Sequence, residues 1–292
     1  MADVRIIDNA TRQAGDELTA SLEWATEIRI ASAFATKAAL TKILSPMEKM
    51  LARGGSVTVM YGLDCHVTDP EVIEQLHQLA SSYSTVKQYV HLNWADAVNQ
   101  TFHTKLYIAI GGEHVAQVLI GSSKLTKAGL WRNTEANALL RGSLKDEAIQ
   151  DACEIFTRIR QEPAFVIPDE QVIADYRRLR SRATSLPVGP RPPEELADSY
   201  KALENYVKTL PSVWADDVHS RVHALVEESE ASDFTLKEFN RRFEQELADL
   251  HPKNQHVQPK IRQQLQVLRD KNVLDFLGRG RYRVRQSPTR PR

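Results

Sequence analysis

FHTKLYIAIGGEHVAQVLIGSSKLTKAGL, residues 102–130, decides the fold and carries most of the chemistry. An apolar, β-rich run, Phe102–Ile110, crosses Gly111-Gly112-Glu113-His114 and returns as a second such run, Val115–Ile120. Two runs of this kind joined by glycines predict a hairpin. Residues two apart on a strand share a face, so His103 and Lys105 are expected to project together. The hairpin brings Gly121-Ser122-Ser123 back beside them, since antiparallel neighbours lie about 5 Å apart. Asn133, Glu135 and Asn137 alternate around a further strand, Thr134–Leu140, and are expected on one face of it. The set so assembled holds an imidazole, an ammonium, hydroxyl and backbone donors, and a carboxylate. Attack on a phosphodiester needs those parts: a nucleophile, a cation for the equatorial oxygens, further donors, and an anion to orient the histidine.

Upstream, strands and helices alternate. Ile28–Phe34 reads as a buried strand, and residues 36–53 carry Leu40, Ile43, Leu44, Met47 and Leu51 at helical spacing. Gly54-Gly55 ends that helix, and Val57–Tyr61 is a second strand. Asp69 and Pro70 open another helix as N-cap and first helical residue. Val86–Leu92 reads as a third strand, and residues 144–160 and 168–183 as helices. The order is that of an α/β fold, a mixed sheet flanked by helices. Four prolines fall within residues 187–193, which predicts an extended spacer. The expected division is a catalytic domain over 1–183, a linker over 184–198 and a second domain over 199–292.

In the second domain, residues 212–229 and 234–250 show amphipathic spacing, and a third helix starts at Pro259 with Ile261, Leu265 and Leu268 facing inward. Its other side carries Arg262, Gln266 and Arg269, with Lys260 and Gln263 close by. Long amide and guanidinium side chains on an exposed helix face suit base-edge readout in the major groove. Two short β-like runs, Val273–Leu277 and Tyr282–Val284, flank a turn bearing Arg279 and Arg281. Such a wing would reach phosphates or the minor groove. The pattern predicts a winged helix-turn-helix domain.

Charge agrees with that reading. The chain of 292 residues has a formal net charge of zero, yet residues 251–292 hold eleven Lys and Arg against Asp270 and Asp275, a surplus of nine. The rest carries the matching negative excess, and this asymmetry points to a polyanionic partner, double-stranded DNA. Two distant cysteines, Cys65 and Cys153, argue against a disulfide framework or zinc site and for a reducing cytoplasm. No signal peptide is evident, and no window approaches the roughly 18 apolar residues of a membrane span.

His103-x-Lys105, then Gly121-Ser122, then Asn133-x-Glu135-x-Asn137 resembles the signature of the phospholipase D superfamily, and most closely its bacterial nuclease and restriction-endonuclease branch. GSSKLTKAGL, residues 121–130, is similar to that branch's GSSNLTxxGL. The resemblance covers about residues 20–160 and implies that His103 attacks phosphorus to give a phosphohistidine that water resolves. It further implies that Lys105 holds the transferring phosphoryl group, Ser122 contacts it, and Glu135 orients the histidine, with no metal or other cofactor. Two positions depart from the pattern. Ile110 stands where many members have an aspartate, and Lys124 replaces the motif asparagine with a cation that still suits phosphate. Superfamily sites use two HxK motifs, so a homodimer is implied to complete this one. The only other occurrence, His251-Pro252-Lys253, lacks the downstream motifs and reads as a loop, while His66 beside Cys65 is no more than a superficial metal pair.

Residues 251–284 are similar to the C-terminal winged-helix domain of DpnI-type and Dam-replacing restriction enzymes, which implies DNA recognition, with a modified adenine as one target. The expected function is a metal-independent restriction-type endonuclease. The alternative is a non-catalytic DNA-binding regulator on a degenerate phospholipase D fold, for which Lys124 is the main support.

Overall fold

The computed structural model describes residues 2–64, 66–92, 102–112, 115–162, 164–183, 194–229, 232–252 and 254–285. The chain forms two compact units, Met1–Leu210 and Pro211–Arg292. The first contains β1 (Asp3–Asp8), α1 (Ala14–Trp24), β2 (Ala25–Ser32), α2 (Lys37–Ala52), β3 (Ser56–Gly62), α3 (Pro70–Ser82) and β4 (Val86–His91). It continues with β5 (Lys105–Gly111), β6 (Val115–Gly121), α4 (Lys127–Trp131), β7 (Ala136–Ser143), α5 (Glu147–Arg160), β8 (Phe165–Val166), α6 (Glu170–Ala183) and α7 (Ala197–Val207). These strands make one mixed sheet in the order β1-β7-β6-β5-β2-β3-β4-β8. Only β2, β3 and β4 run parallel, joined by α2 and α3. Ile28, Ile30 and Ala31 of β2 are all buried, as expected of a strand covered on both faces.

The predicted hairpin forms, with Leu106 opposite Ile120 and Ile110 opposite Ala116. Leu40, Ile43, Met47 and Leu51 bury the inner stripe of α2. Asp69 takes the N-cap position of α3 and Pro70 the first helical one. The Asp69 carboxylate does not cap its own helix, however; it accepts the backbone N–H of Lys37 at 2.9 Å. No periodic pattern marks β1, an edge strand antiparallel to β7. Val4 and Ile6 on it are 56% and 75% exposed, so it lacks a buried period-two pattern and owes its place to backbone pairing.

The expected domain division needs correction. Helix α7 buries Tyr200, Leu203 and Val207 in the core of the first unit. Tyr206 on the same helix donates to Asp169 at 2.7 Å. Residues 199–210 therefore belong to the first unit, because the apolar stripe of α7 finds its partner there. Most of the Pro-rich linker, residues 184–193, lies outside the described residues.

The second unit runs α8 (Val213–Ser229), β9 (Asp233–Thr235), α9 (Leu236–Leu250), α10 (Val257–Asp270), β10 (Leu274–Gly278) and β11 (Arg281–Val284). Its sheet order is β10-β11-β9, and with three helices this is a winged-helix arrangement. Phe239, Phe243, Leu247, Ile261, Leu265 and Leu268 form its core. Phe234, expected on a helix, lies instead in β9 opposite Tyr282, because Thr235 and Glu238 form a capping box that starts α9 after it. The wing turns through Gly278, Arg279 and Gly280, all at positive φ (91°, 50° and 73°), which explains the two glycines. Among the described residues, no helix is long and apolar enough to cross a membrane.

Candidate active site and nucleic-acid face

Four strand ends meet at one end of the sheet. Ser32 at the end of β2 pairs with Lys105 at the start of β5. Gly121 at the end of β6 pairs with Asn137 at the start of β7. His103 lies just before β5 rather than on it, a correction to the expected strand, as the regular ladder begins only at Lys105. The two side chains still meet: Lys105 Nζ is 2.6 Å from His103 Nδ1 and donates to the His103 carbonyl at 2.8 Å. An ammonium can only donate, so His103 Nδ1 accepts. Partial burial, then the charges of Lys105 and Lys124, hold the His103 imidazole below its ordinary pKa. Burial, then Lys124, likewise lowers Lys105, with Glu135 opposing. Neutral pH therefore leaves the imidazole uncharged between two cations.

Phe34 joins this group. Its ring stands edge-on to His103 at 6.3 Å, and Lys124 Nζ lies 5.9 Å from its centroid. Phe102, next to His103, is clamped by His91 at 5.5 Å and Phe165 at 5.0 Å. His91 is itself held by Asp64 at 2.5 Å, both buried. These packing partners fix the backbone that carries His103. Sequence reading missed all of them, since they lie on separate elements and carry no local motif.

Glu135 and Asn133 precede β7 rather than alternating on it, again a correction, because that strand starts at Ala136. The Glu135 carboxylate accepts from the Ser122 hydroxyl and, at 3.3 Å, from Asn133 Nδ2. No hydrogen bond joins it to His103 among the described residues. Asn137 is buried and does different work: its amide accepts from Ser123 N at 3.2 Å and donates to Ser123 Oγ at 2.9 Å. Tyr107 donates to the Ser123 carbonyl at 2.8 Å, and burial raises its phenol well above the ordinary value.

Much of the GSSKLTKAGL stretch is scaffold by this geometry. A Cβ on Gly121 would sit 2.4 Å from the Ala136 carbonyl, so only glycine fits there. Ser32 Oγ accepts from Leu125 N at 2.8 Å, and Thr36 N donates to the Leu125 carbonyl at 2.9 Å. Thr126 caps α4 by accepting from Gly129 N at 2.9 Å. The loop is thus pinned on both sides, leaving Lys124 half-exposed toward His103 and Lys105.

The two other histidines singled out from sequence are structural. His66 is buried with Nδ1 3.0 Å from the Tyr200 hydroxyl, and Cys65 lies outside the described residues. His251 caps the end of α9 as a buried group, with Nε2 2.8 Å from Asp217 Oδ2 and its ring stacked on Trp214 at 3.9 Å.

In the second unit, Arg262, Gln263, Gln266 and Arg269 all lie exposed on α10, as expected. Lys260 is half-exposed and donates to Gln263 at 2.9 Å, and Arg269 is bonded to its neighbour Asp270 at 2.7 Å. Arg281 lies 3.9 Å from Asp233, while Arg279 occupies the exposed wing turn. An open cleft of about 580 Å³ separates the wing turn from the helices. Lys237, Asn240 and Arg241 of α9 line it with Gln258, Arg262 and Arg279. The α9 residues went unread in the sequence because their periodicity served only to mark the buried face.

A winged helix with an exposed amide and guanidinium face is now established for the second unit. Residues 216–284 match the Dam-replacing HTH domain. That match ends at Val284, the last residue of the wing. Among solved structures, the chain is similar to NucT from Helicobacter pylori, with 17% identity over 57% of this chain and 100% of that one, at a TM-score of 0.43. It is also similar to Nuc, a phospholipase D family member from Salmonella typhimurium, with 19% identity over 54% of this chain and 93% of that one, at a TM-score of 0.41. A third is phosphatidylserine synthase from Haemophilus influenzae, with 12% identity over 72% of this chain and 48% of that one, at a TM-score of 0.42.

Proposed function

We propose that the chain is a restriction-type endonuclease that hydrolyses DNA phosphodiesters at His103 and is targeted by its Dam-replacing HTH segment. The observation that carries this reading is the 2.6 Å contact of His103 Nδ1 with Lys105 Nζ at an open sheet end, with Lys124 close enough to lower the pKa of both. A neutral imidazole is a nucleophile, and two adjacent ammonium groups suit the oxygens of a phosphodiester. In the free site Lys105 occupies the imidazole lone pair at Nδ1. An arriving phosphate competes for that ammonium and frees the ring to attack.

In the proposed cycle, His103 forms an N–P bond as the P–O bond to the leaving nucleoside oxygen breaks. Lys105 and Lys124 neutralise the equatorial oxygens. Ser122 and Asn133 hold Glu135 beside Lys105, where its charge favours the ammonium. The negative charge of the bound phosphate offsets the two ammonium groups and favours proton uptake from solvent by a second copy's His103. That imidazolium protonates the leaving oxygen, and the imidazole so formed then deprotonates the water that breaks the N–P bond. No step uses a metal. An exposed apolar row supports a second copy at this end of the sheet: Ile6 and Ile120, 75% and 39% exposed, both pair with Ala138, and Ile120 directly precedes Gly121.

The winged helix supplies the choice of site, with a modified adenine as its proposed target. The deciding experiment is cleavage of adenine-methylated and unmethylated DNA in excess chelator, beside His103→Ala. Cutting that survives chelator and disappears in the variant supports the nuclease. Binding without cutting by either protein favours instead a regulator on an inactive site, a reading that Lys124 in the motif's asparagine position would explain.

A further inference from the structure

We propose that Lys37, Lys42, Lys127 and Arg132 form a track that binds the phosphate backbone of DNA and leads a strand to His103. The idea rests on the nuclease reading and adds to it a substrate-contacting surface in the first unit, apart from the winged helix.

The four cations flank α4, which lies along the first half of α2. At one end, Lys127 N donates to the Thr36 hydroxyl at 3.4 Å, which brings Lys127 beside Lys37. At the other, Lys42 Nζ sits 4.3 Å from the centroid of the Trp131 ring, next to Arg132. The near end of this row is only three residues from Lys124, whose charge already acts on His103 and Lys105. Helix α4 has five residues and so spans roughly 7.5 Å, about two base-pair rises along a duplex axis.

Lys37, Lys42 and Arg132 are exposed and Lys127 is half-exposed. Among the described residues, none of the four has a carboxylate oxygen within 4.0 Å. Other arginines of this unit do have one: Arg12 and Arg141 share Glu17, Arg29 meets Glu27, and Arg177 meets Glu74. Two carboxylates adjoin the row, and each is engaged by a neutral donor. Asp69 accepts the Lys37 backbone N–H, and Asp16 accepts from Trp131 Nε1 at 3.0 Å. The positive excess is local, since residues 1–250 carry the net negative balance of the chain. A row of unneutralised cations running up to a phosphate-handling site fits a polyanion that extends beyond the scissile group.

The test compares the double variant Lys37→Glu/Lys127→Glu with Lys49→Glu, a control at the exposed far end of α2. Each is made in the full chain, both as wild type and with His103→Ala for binding without cleavage. For the double variant, kcat/KM on DNA should fall at least about tenfold while bis(p-nitrophenyl) phosphate turnover stays within about twofold. The slope of log binding constant against log salt should become shallower by about two, with Lys49→Glu leaving it unchanged. Preserved turnover of the small diester also reports intact folding, and Lys37→Gln/Lys127→Gln should move the slope the same way by a milder change. Unaltered DNA kinetics and salt slope, or an equal effect from Lys49→Glu, overturns the track and leaves the nuclease standing. If wild type hydrolyses neither substrate, the nuclease reading falls, and the slope in the His103→Ala background still decides the track.

Discussion

The chain contains the pattern His-x-Lys twice, and the two histidines have opposite surroundings. His103 is exposed at the end of a sheet and bonded to Lys105, with partial burial and then the charges of Lys105 and Lys124 lowering its pKa. His251 is 3% exposed, stacked on Trp214 and bonded to Asp217. The first environment disfavours an imidazolium and leaves the ring open to solvent. The second uses both the face and the nitrogen of the ring to close a helix end. A short pattern acquires chemical meaning only from what the fold places around it, and here Gly121, Ser122 and Glu135 are what separate the two.

Alanine at each histidine breaks the comparison most directly. His103→Ala should lower phosphodiester hydrolysis by more than about a thousandfold with no more than a small shift in melting temperature. His251→Ala should do the reverse. It removes the imidazole that bonds the buried Asp217 at 2.8 Å, and should cost about 2–3 kcal/mol of second-unit stability while small-diester turnover persists. Thermal melts and bis(p-nitrophenyl) phosphate assays read both, and a loss of turnover in His251→Ala would collapse the distinction.

Within the second unit, helix face and wing should separate in the same way. Arg262→Ala should weaken binding to a preferred DNA by about 1–3 kcal/mol and relax the sequence preference. Arg279→Ala should weaken binding evenly across sequences and reduce the salt slope by about one. Titrations on two DNA sequences at several salt concentrations check this, and equal effects of both variants on preference would remove the assigned division of labour.

Tyr107 tests whether the GSSKLTKAGL loop is scaffold. Tyr107→Phe strands the buried Ser123 carbonyl and should cost about 1 kcal/mol of stability. Turnover should fall by less than the roughly fivefold such a cost could produce, because Lys124 remains held through Leu125 and Thr126. Urea unfolding and steady-state rates measured together check both parts.

The legible features were those written in local periodicity. The hairpin, α2, α3 and the inward face of α10 follow from residues a few positions apart, and so does the meeting of His103 with Lys105. Features set by distant contacts were not legible. Strand β1 has one inward residue, Ile7, and is fixed by pairing with β7. Helix α7 looked like any amphipathic helix, and only its burial against the first unit shows to which domain it belongs. Asn137 shares a motif with Glu135 but serves the loop, because β7 begins between them and turns it inward. The packing of Phe102 between His91 and Phe165 spans three separate elements.

Lys124 gives the smallest effect and the sharpest one for the contrast between the histidines. Its charge is one of the causes that lower His103, after burial and Lys105. Hydrolysis by a neutral imidazole is present above the folded pKa and is lost as pH falls through it, so the acid limb of the wild-type profile should lie below about 6.5, the ordinary value for histidine. Lys124→Asn removes one lowering charge and installs the asparagine of the motif that GSSKLTKAGL resembles. The His103 pKa should rise, and the acid limb should move to higher pH. Near neutrality the rate should change little, since the lost cation is replaced by an amide donor. A profile of kcat/KM for bis(p-nitrophenyl) phosphate from acid to neutral pH compares the two proteins. An acid limb that stays in place would mean that the group titrating there is not the imidazole beside Lys124, and the assignment of His103 as nucleophile would lose its electrostatic support.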